Sequence, residues 1–399
     1  MIVIVNLIFL LAGLLFAFYT IKKYHNPLNH VSIFSSVWVF VILGSQLSNF
    51  VVLEYGTLAV LYVSWYCFLI GSYIFNDHQI VPKPINYSYG DDSRLKAICY
   101  IIILLAIASN LRILTDVYLN FSSLEDWAQL RKDQEFGIYR DNNIIYTLFG
   151  STSIIYIPLA IYLFLKERIK LSVLILTYVI ATLIAFATFN RAPILYLLVV
   201  SIVFYSFTAN KFSYKIILVA ALSLLIIFLV SSYFLSGGNY DSNDLPLYVF
   251  GGVGAYQNLL NGGYYKYGDF DSQYYSLDFI NYILKTFGFI DSYPDLIREY
   301  DPIVITNVYT YLDGFTLDFG ILGAFIGSLL IGFFSKIVYL NYLKKESIFN
   351  LILYSSFCYY ASFIFMNNEY IRFSVILLII KIIVLSYILK FGLNYKNDK

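Results

Sequence analysis

Charge is what this chain has least of. Asp, Glu, Lys and Arg make up 13% of its 399 residues, about half the share usual in a soluble globular domain. Hydrophobic residues make up 60%, and the mean hydropathy is +0.72. Cysteine is scarce: Cys67, Cys99 and Cys358 all fall inside apolar runs. This excludes a disulfide framework or a cysteine metal cluster and marks them as packing residues. The three histidines, His25, His30 and His78, lie beside short basic segments and read as ordinary interfacial residues. No glycine-rich phosphate cradle is present, which argues against nucleotide-driven chemistry. The opening run Ile2–Ile21 lacks both a basic leader and a small-residue cleavage site. It reads as a retained first span.

What the chain has instead is a succession of apolar runs near 20 residues long, each able to cross about 30 Å of hydrocarbon as a helix. Eleven are expected, at roughly 2–21, 31–50, 56–75, 97–119, 144–165, 171–189, 192–209, 216–235, 315–340, 348–366 and 371–391. The chain is therefore expected to be an all-α polytopic membrane protein, residues 1–399 forming one integral membrane domain. Basic residues in the connecting segments alternate. One set holds Lys22, Lys23, Lys83, Arg94, Lys96, Lys166, Arg168, Lys170, Lys211, Lys215, Lys344, Lys345, Lys390, Lys396 and Lys399. The opposite set holds Arg131, Lys132, Arg140, Arg191, Lys266, Lys285, Arg298 and Arg372 over a much longer total. Positive charge collects on the cytoplasmic side. The N-terminus is thus expected outside and the C-terminus inside.

That orientation puts one long hydrophilic segment, 236–314, outside. It carries thirteen tyrosines and ten carboxylates but only three basic residues, Lys266, Lys285 and Arg298. Within it, Leu277, Ile280, Ile283, Leu284 and Phe287 fall at helical spacing, as expected of a short helix lying on a bilayer. Leu245–Leu260 is a second candidate, either a surface helix or a shallow re-entrant piece. In the shorter outer segment, Leu124, Trp127, Ala128 and Leu130 form another short apolar stripe.

Arginines and carboxylates on this side carry the functional expectation. Arg191 lies in the break Asn190-Arg191-Ala192-Pro193, too short to leave the membrane face. Arg112 lies toward the outer end of the fourth span, and Arg372 opens the last. A charge at such depth is costly and marks a functional hypothesis; its plainer reading is snorkelling to headgroups, or pairing with Glu369 or Asp318. Arginine binds phosphate oxygens in a bidentate fork, so Arg112, Arg140, Arg191, Arg298 and Arg372 suit a lipid-linked pyrophosphate. Asp318 interrupts an apolar run and is either a general base or an ion-pair partner. Asp269-Phe270-Asp271 has a metal-like spacing that arises easily among ten acids, so neither a metal nor another cofactor is expected. Tyrosines stack on sugars but also populate membrane interfaces, so none is singled out on that ground.

Thr306-Asn307-Val308-Tyr309-Thr310 through Asp318-Phe319-Gly320-Ile321-Leu322-Gly323 resembles the loop-to-helix junction of the O-antigen polymerase (oligosaccharide repeat-unit polymerase) family. Asn190-Arg191-Ala192 is similar to that family's arginine-bearing turn, and Leu247-Tyr248-Val249-Phe250-Gly251-Gly252 to its first outer-loop helix. An Arg followed at fixed spacing by Gly, seen in some members, has no counterpart here. The resemblance implies a GT-C-like helical body in the bacterial plasma membrane. It implies a glycosyltransferase that joins undecaprenyl-pyrophosphate-linked repeat units on the outer side. Asp318, Arg191 and Arg298 would be its catalytic residues, and Arg112, Arg140, Arg372, Asn307 and Tyr309 its substrate-binding residues. Partners would be the lipid-linked oligosaccharides, membrane lipids, a chain-length regulator and a flippase, with no nucleic acid. Two alternatives stay open: an O-antigen ligase, which is expected to place a histidine outside, and a lipid-linked oligosaccharide flippase or transporter, which usually shows two related halves.

The orientation makes a direct prediction. A reporter active only in the cytoplasm is expected to be silent when fused at Ser272 and active at Lys399; activity at Ser272 overturns the assignment of sides.

Overall fold

The computed structural model describes residues 2–24, 26–48, 51–74, 92–120, 149–150, 152–187, 192–209, 244–262, 275–289, 298–301, 304–306, 310–344, 347–365 and 373–397, with the isolated positions 222, 226 and 230. These residues are helical apart from one short ribbon. The helices are α1 (Ile2–Tyr24), α2 (His30–Ser48), α3 (Tyr55–Tyr73), α4 (Asp92–Asn120), α5 (Ser153–Leu165), α6 (Leu171–Ala187), α7 (Ala192–Thr208), α8 (Asp244–Leu260), α9 (Asp278–Thr286), α10 (Tyr311–Lys344), α11 (Ile348–Ser362) and α12 (Phe373–Asn397). Strands β1 (Arg298–Asp301) and β2 (Val304–Thr306) pair antiparallel, with Arg298 opposite Thr306 and an irregularity between Glu299 and Asp301.

Ten of the eleven expected spans contain one of these helices. The eleventh, 216–235, lies almost wholly outside the described residues, as does the 124–130 stripe. Among the described residues, five helices are long and apolar enough to cross a membrane: α1, α2, α3, α4 and α10. Shorter apolar helices cover Ser153–Leu165, Leu171–Ala187, Pro193–Thr208 and Val375–Ile388. Large apolar side chains such as Leu15, Leu104, Ile175 and Leu322 remain exposed on them, as expected of helices whose solvent is lipid. The chain is a helical membrane protein.

Contacts divide it into two compact units. The first comprises Met1–Lys83, Ser242–Lys345 and Phe357–Ile380; the second comprises Pro84–Asp241, Glu346–Ser356 and Lys381–Lys399. In the second unit, α5 is the central element, buried almost throughout and packed on α4, α6 and α7. Some of the unit's polar side chains bond to neighbouring groups. Asn110 donates to the carbonyls of Ala106 (2.8 Å) and Gly150 (3.2 Å), and Tyr178 donates to Ser201 (2.6 Å).

In the first unit, the sequence sets the start of α2 directly. The Asn29 side chain accepts from the Ser32 amide at 3.0 Å, a side-chain N-cap. His30, one residue on, is buried with its ring 5.3 Å from that of Tyr339. This corrects the expectation of an interfacial histidine; His25 and His78 lie outside the described residues. The α2 and α3 helices lock through the stacked rings of Phe34 and Phe68, 3.6 Å apart. The α3 helix packs most extensively on α10. There, Gly71 faces the Leu329 carbonyl and Gly332 faces that of Phe68, so closely that a Cβ on either would overlap backbone. Small residues at such crossings let helices gain van der Waals contact that lipid cannot supply in competition. Cys99 and Cys358 are buried and Cys67 half-buried, all as free thiols.

The ninth span departs from expectation. The α10 helix is not one straight rod, because Gly320 has φ 66° and ψ −167°. The hydroxyls of Tyr311 and Ser328 are 2.7 Å apart. In a straight helix, 17 residues would separate their Cα atoms by about 25 Å. The chain therefore reverses at Gly320. Tyr311–Phe319 folds back beside the span that begins at Ile321, and the Phe315 ring lies against Gly327. Tyr311 is fully buried, its ring near those of Phe34 and Trp38. The apolar run 315–340 is thus a helical hairpin joined to a crossing helix.

Gly320 sits in a backbone region that side chains rarely enter, yet a Cβ there meets nothing within 4 Å. Gly320→Ala is therefore expected to cost about 1–3 kcal/mol through backbone strain alone. A thermal-unfolding scan of purified protein in detergent checks this; an unchanged midpoint would show that the reversal is not under strain.

Candidate functional site

The hairpin brings several buried polar groups close together. Thr310 precedes the first turn of α10, and its hydroxyl donates to the Asp313 carboxylate at 2.6 Å. Both are fully buried. A carboxylate in the first turn of a helix is favoured by the amides and dipole of that terminus. The Tyr311 amide, the first of the helix, donates to the Ile364 carbonyl at 3.0 Å. One turn along, the hydroxyls of Thr316 and Tyr256 share a hydrogen bond of 2.9 Å. Burial raises the Tyr256 phenol, with the Asp313 charge adding to the effect and the Thr316 bond opposing it. Tyr256 thus stays a neutral hydroxyl.

Tyr256 comes from α8, which corrects the idea of a surface helix over Leu245–Leu260. Positions 251–256 are buried, and α8 packs on α2, α3, α10 and both strands. Its far end is fastened to the turn before α3. Gln257 accepts from the Glu54 amide (2.6 Å) and donates to the Val52 carbonyl (3.1 Å). Asn261 donates to the Glu54 carboxylate at 3.2 Å.

Asp318 lies at the closed end of the hairpin, two residues before the reversal. Its two oxygens accept from the Tyr275 amide (2.9 Å), the Ser276 amide (2.7 Å) and the Ser276 hydroxyl (2.5 Å). Gly314, one turn earlier, is close enough that a Cβ would lie 2.8 Å from the Tyr275 carbonyl oxygen. Asp318 therefore clamps the chain just ahead of α9 onto the hairpin. Its expected arginine partners, Arg191 and Arg372, lie outside the described residues.

Of the other expected site residues, Arg112 sits near the end of α4 in the second unit, with its side chain exposed. The backbone of Arg298 opens β1. Arg140, Arg191, Arg372, Asn307 and Tyr309 lie outside the described residues. Asp313 was not singled out from sequence, although Thr310-x-x-Asp313 has the spacing of a helix-capping pair. Lys336 was also passed over. It is buried within α10, donates to the Tyr24 hydroxyl and lies 4.8 Å from that ring. Among the described residues, no cluster of His, Cys, Asp or Glu is arranged to hold a metal ion.

No protein-family model matches the chain, and neither a curated protein nor a solved structure matches it.

The clamp makes a testable statement. Asp318→Ala leaves two amides without their acceptor, at a cost of about 1–3 kcal/mol each where buried. Asp318→Asn restores one acceptor but turns an NH2 toward a donor. Both variants are expected to speed hydrogen exchange at Tyr275 and Ser276 more than within α10, with Asn intermediate. Equal protection in all three proteins would remove the clamp.

Proposed function

We propose that the chain is an oligosaccharide repeat-unit polymerase of a bacterial plasma membrane. It would act on undecaprenyl-pyrophosphate-linked glycans at the outer face. The observation that supports this reading is the hairpin. The long polar segment runs into the interior of the first unit, where Thr310 bonds Asp313 and, one turn on, Thr316 bonds Tyr256. Broken helices of this kind are tolerated in a membrane where protein or a cavity surrounds them, and such places commonly serve substrates.

In the reaction proposed, a sugar hydroxyl of the acceptor unit attacks the anomeric carbon of the donor chain. The bond from that carbon to the pyrophosphate oxygen breaks as the new glycosidic bond forms. The hydroxyl proton passes to a carboxylate or to the departing pyrophosphate. Arg191, Arg298 and Arg112 would hold the negative charge that grows on the leaving group. Three of the roughly four acceptor sites of the Asp318 carboxylate are taken by Tyr275 and Ser276, so this reading assigns it chiefly a holding role and leaves the chemistry to arginine charge and positioning.

A second reading is favoured by one feature. A discontinuous helix is also how transporters build their binding sites, so a flippase for the same lipid-linked glycan accounts for the hairpin too.

Expression in a polymerase-null strain separates the two. The polymerase reading expects surface polysaccharide of many repeat units on a gel; single repeat units alone would refute it. With the wild type active, Arg191→Ala and Arg191→Lys are both expected to lower activity about 10²–10³-fold, as for loss of a preorganised donor. Full-length polymer from Arg191→Ala at normal protein level would remove Arg191 from the site.

A further inference from the structure

We infer that α9 and the tip of the α10 hairpin form one continuous lipid-binding surface, with α9 lying in the headgroup boundary of the bilayer. This inference rests on the membrane character of the chain and not on the polymerase reading.

The span beginning at Ile321 supplies the reference. At about 1.5 Å per residue, Ile321–Lys344 is long enough to cross the roughly 30 Å of hydrocarbon, with Lys344 at one boundary and Ile321 at the other. Down this span Leu322, Ile326, Leu330 and Phe334 are exposed at four-residue intervals. Such a stripe on a crossing helix faces lipid. At its upper end the stripe does not stop: Phe319 and Ile321, on either side of the reversal, are exposed as well.

Asp318 is adjacent to that tip and holds Tyr275 and Ser276. Two residues later α9 begins. The clamp therefore fixes the start of α9 at the level where the crossing helix enters the bilayer. From this end α9 exposes Ile283, followed by Phe287 (72% exposed) and Phe289 (74%) in the turn after it. On its other side, Asn281 is fully buried. A helix with aromatic and aliphatic groups on its free face, set at the membrane boundary, lies with that face about 5–10 Å into the headgroup and acyl region. The occupant is settled by continuity. The free face of α9 extends a stripe already in lipid, and no second protein is needed to cover it. The sequence alone showed the apolar spacing of α9. The structure adds the reversal at Gly320 and the Asp318 clamp, which fix where that helix is held.

The test uses the full chain in nanodiscs holding a single copy. Phe287→Trp adds one indole to the native Trp38, Trp65 and Trp127, and its emission is read as the difference from wild type. In bilayers of brominated phospholipid the added emission is expected to be largely lost, while aqueous acrylamide leaves most of it. Phe289→Trp is the second variant, should the first fail to accumulate, and is expected to behave alike. Loss to acrylamide with no loss to brominated lipid would place α9 in water and overturn the inference. Resistance to both quenchers would place α9 against protein and overturn it equally. Polymer formation is not part of the readout, so failure of the polymerase reading leaves this result standing.

Discussion

A chain that turns back on itself within a membrane bundle must satisfy every backbone and side-chain polar group it carries there. Each one left bare in hydrocarbon costs several kcal/mol. The reversal at Gly320 sets this requirement, and several groups of the hairpin meet it with partners drawn from elsewhere in the first unit. Tyr311 hands its amide to Ile364 and its hydroxyl to Ser328. Thr310 satisfies Asp313, Tyr256 satisfies Thr316, and the Asp318 carboxylate takes up two amides of the loop. The two carboxylates sit at opposite ends of the returning helix with different tasks: Asp313 stabilises its buried start, and Asp318 fastens its exposed end.

The hairpin also explains the burial of α8. A returning helix of nine residues cannot enclose its own polar face, and α8 supplies the wall. The Phe250 ring lies against Gly44 of α2, close enough that a Cβ there would be 2.6 Å away, and Gln257 fixes the other end to the turn before α3. Three segments distant in sequence thus share one largely apolar interior, with the pairs of Tyr256 with Thr316 and of Thr310 with Asp313 set within it.

Most of the helical framework was legible in the sequence, because hydrocarbon thickness imposes a run length that hydropathy reports directly. The intervals 31–50 and 56–75 match α2 and α3 to within two residues at each end. The reversal was not legible, since an apolar run carries no sign of direction. Residues 315–340 read as one span although the chain turns at Gly320. The clamp was hidden for a related reason. Asp318 was conspicuous as a lone acid in an apolar run, but its partners lie 42 and 43 residues earlier, and backbone amides leave no trace in composition. Asp313 was obscured differently. Among ten acids in one segment its capping distance from Thr310 was the only distinguishing mark, and helix capping does not announce burial.

The contact between α3 and α10 sets a condition on biogenesis. Ser72 donates to the Gly332 carbonyl across 260 residues of chain. At about 5–20 residues per second of synthesis, the glycine-lined face of α3 waits roughly 10–50 s in the bilayer before its partner helix is made. For that interval lipid tails occupy the groove that Gly71 opens, and they must be expelled when α10 arrives. A groove narrow enough to exclude any Cβ holds an acyl chain poorly, so the same small residues that allow the final contact keep its vacancy shallow and easily cleared.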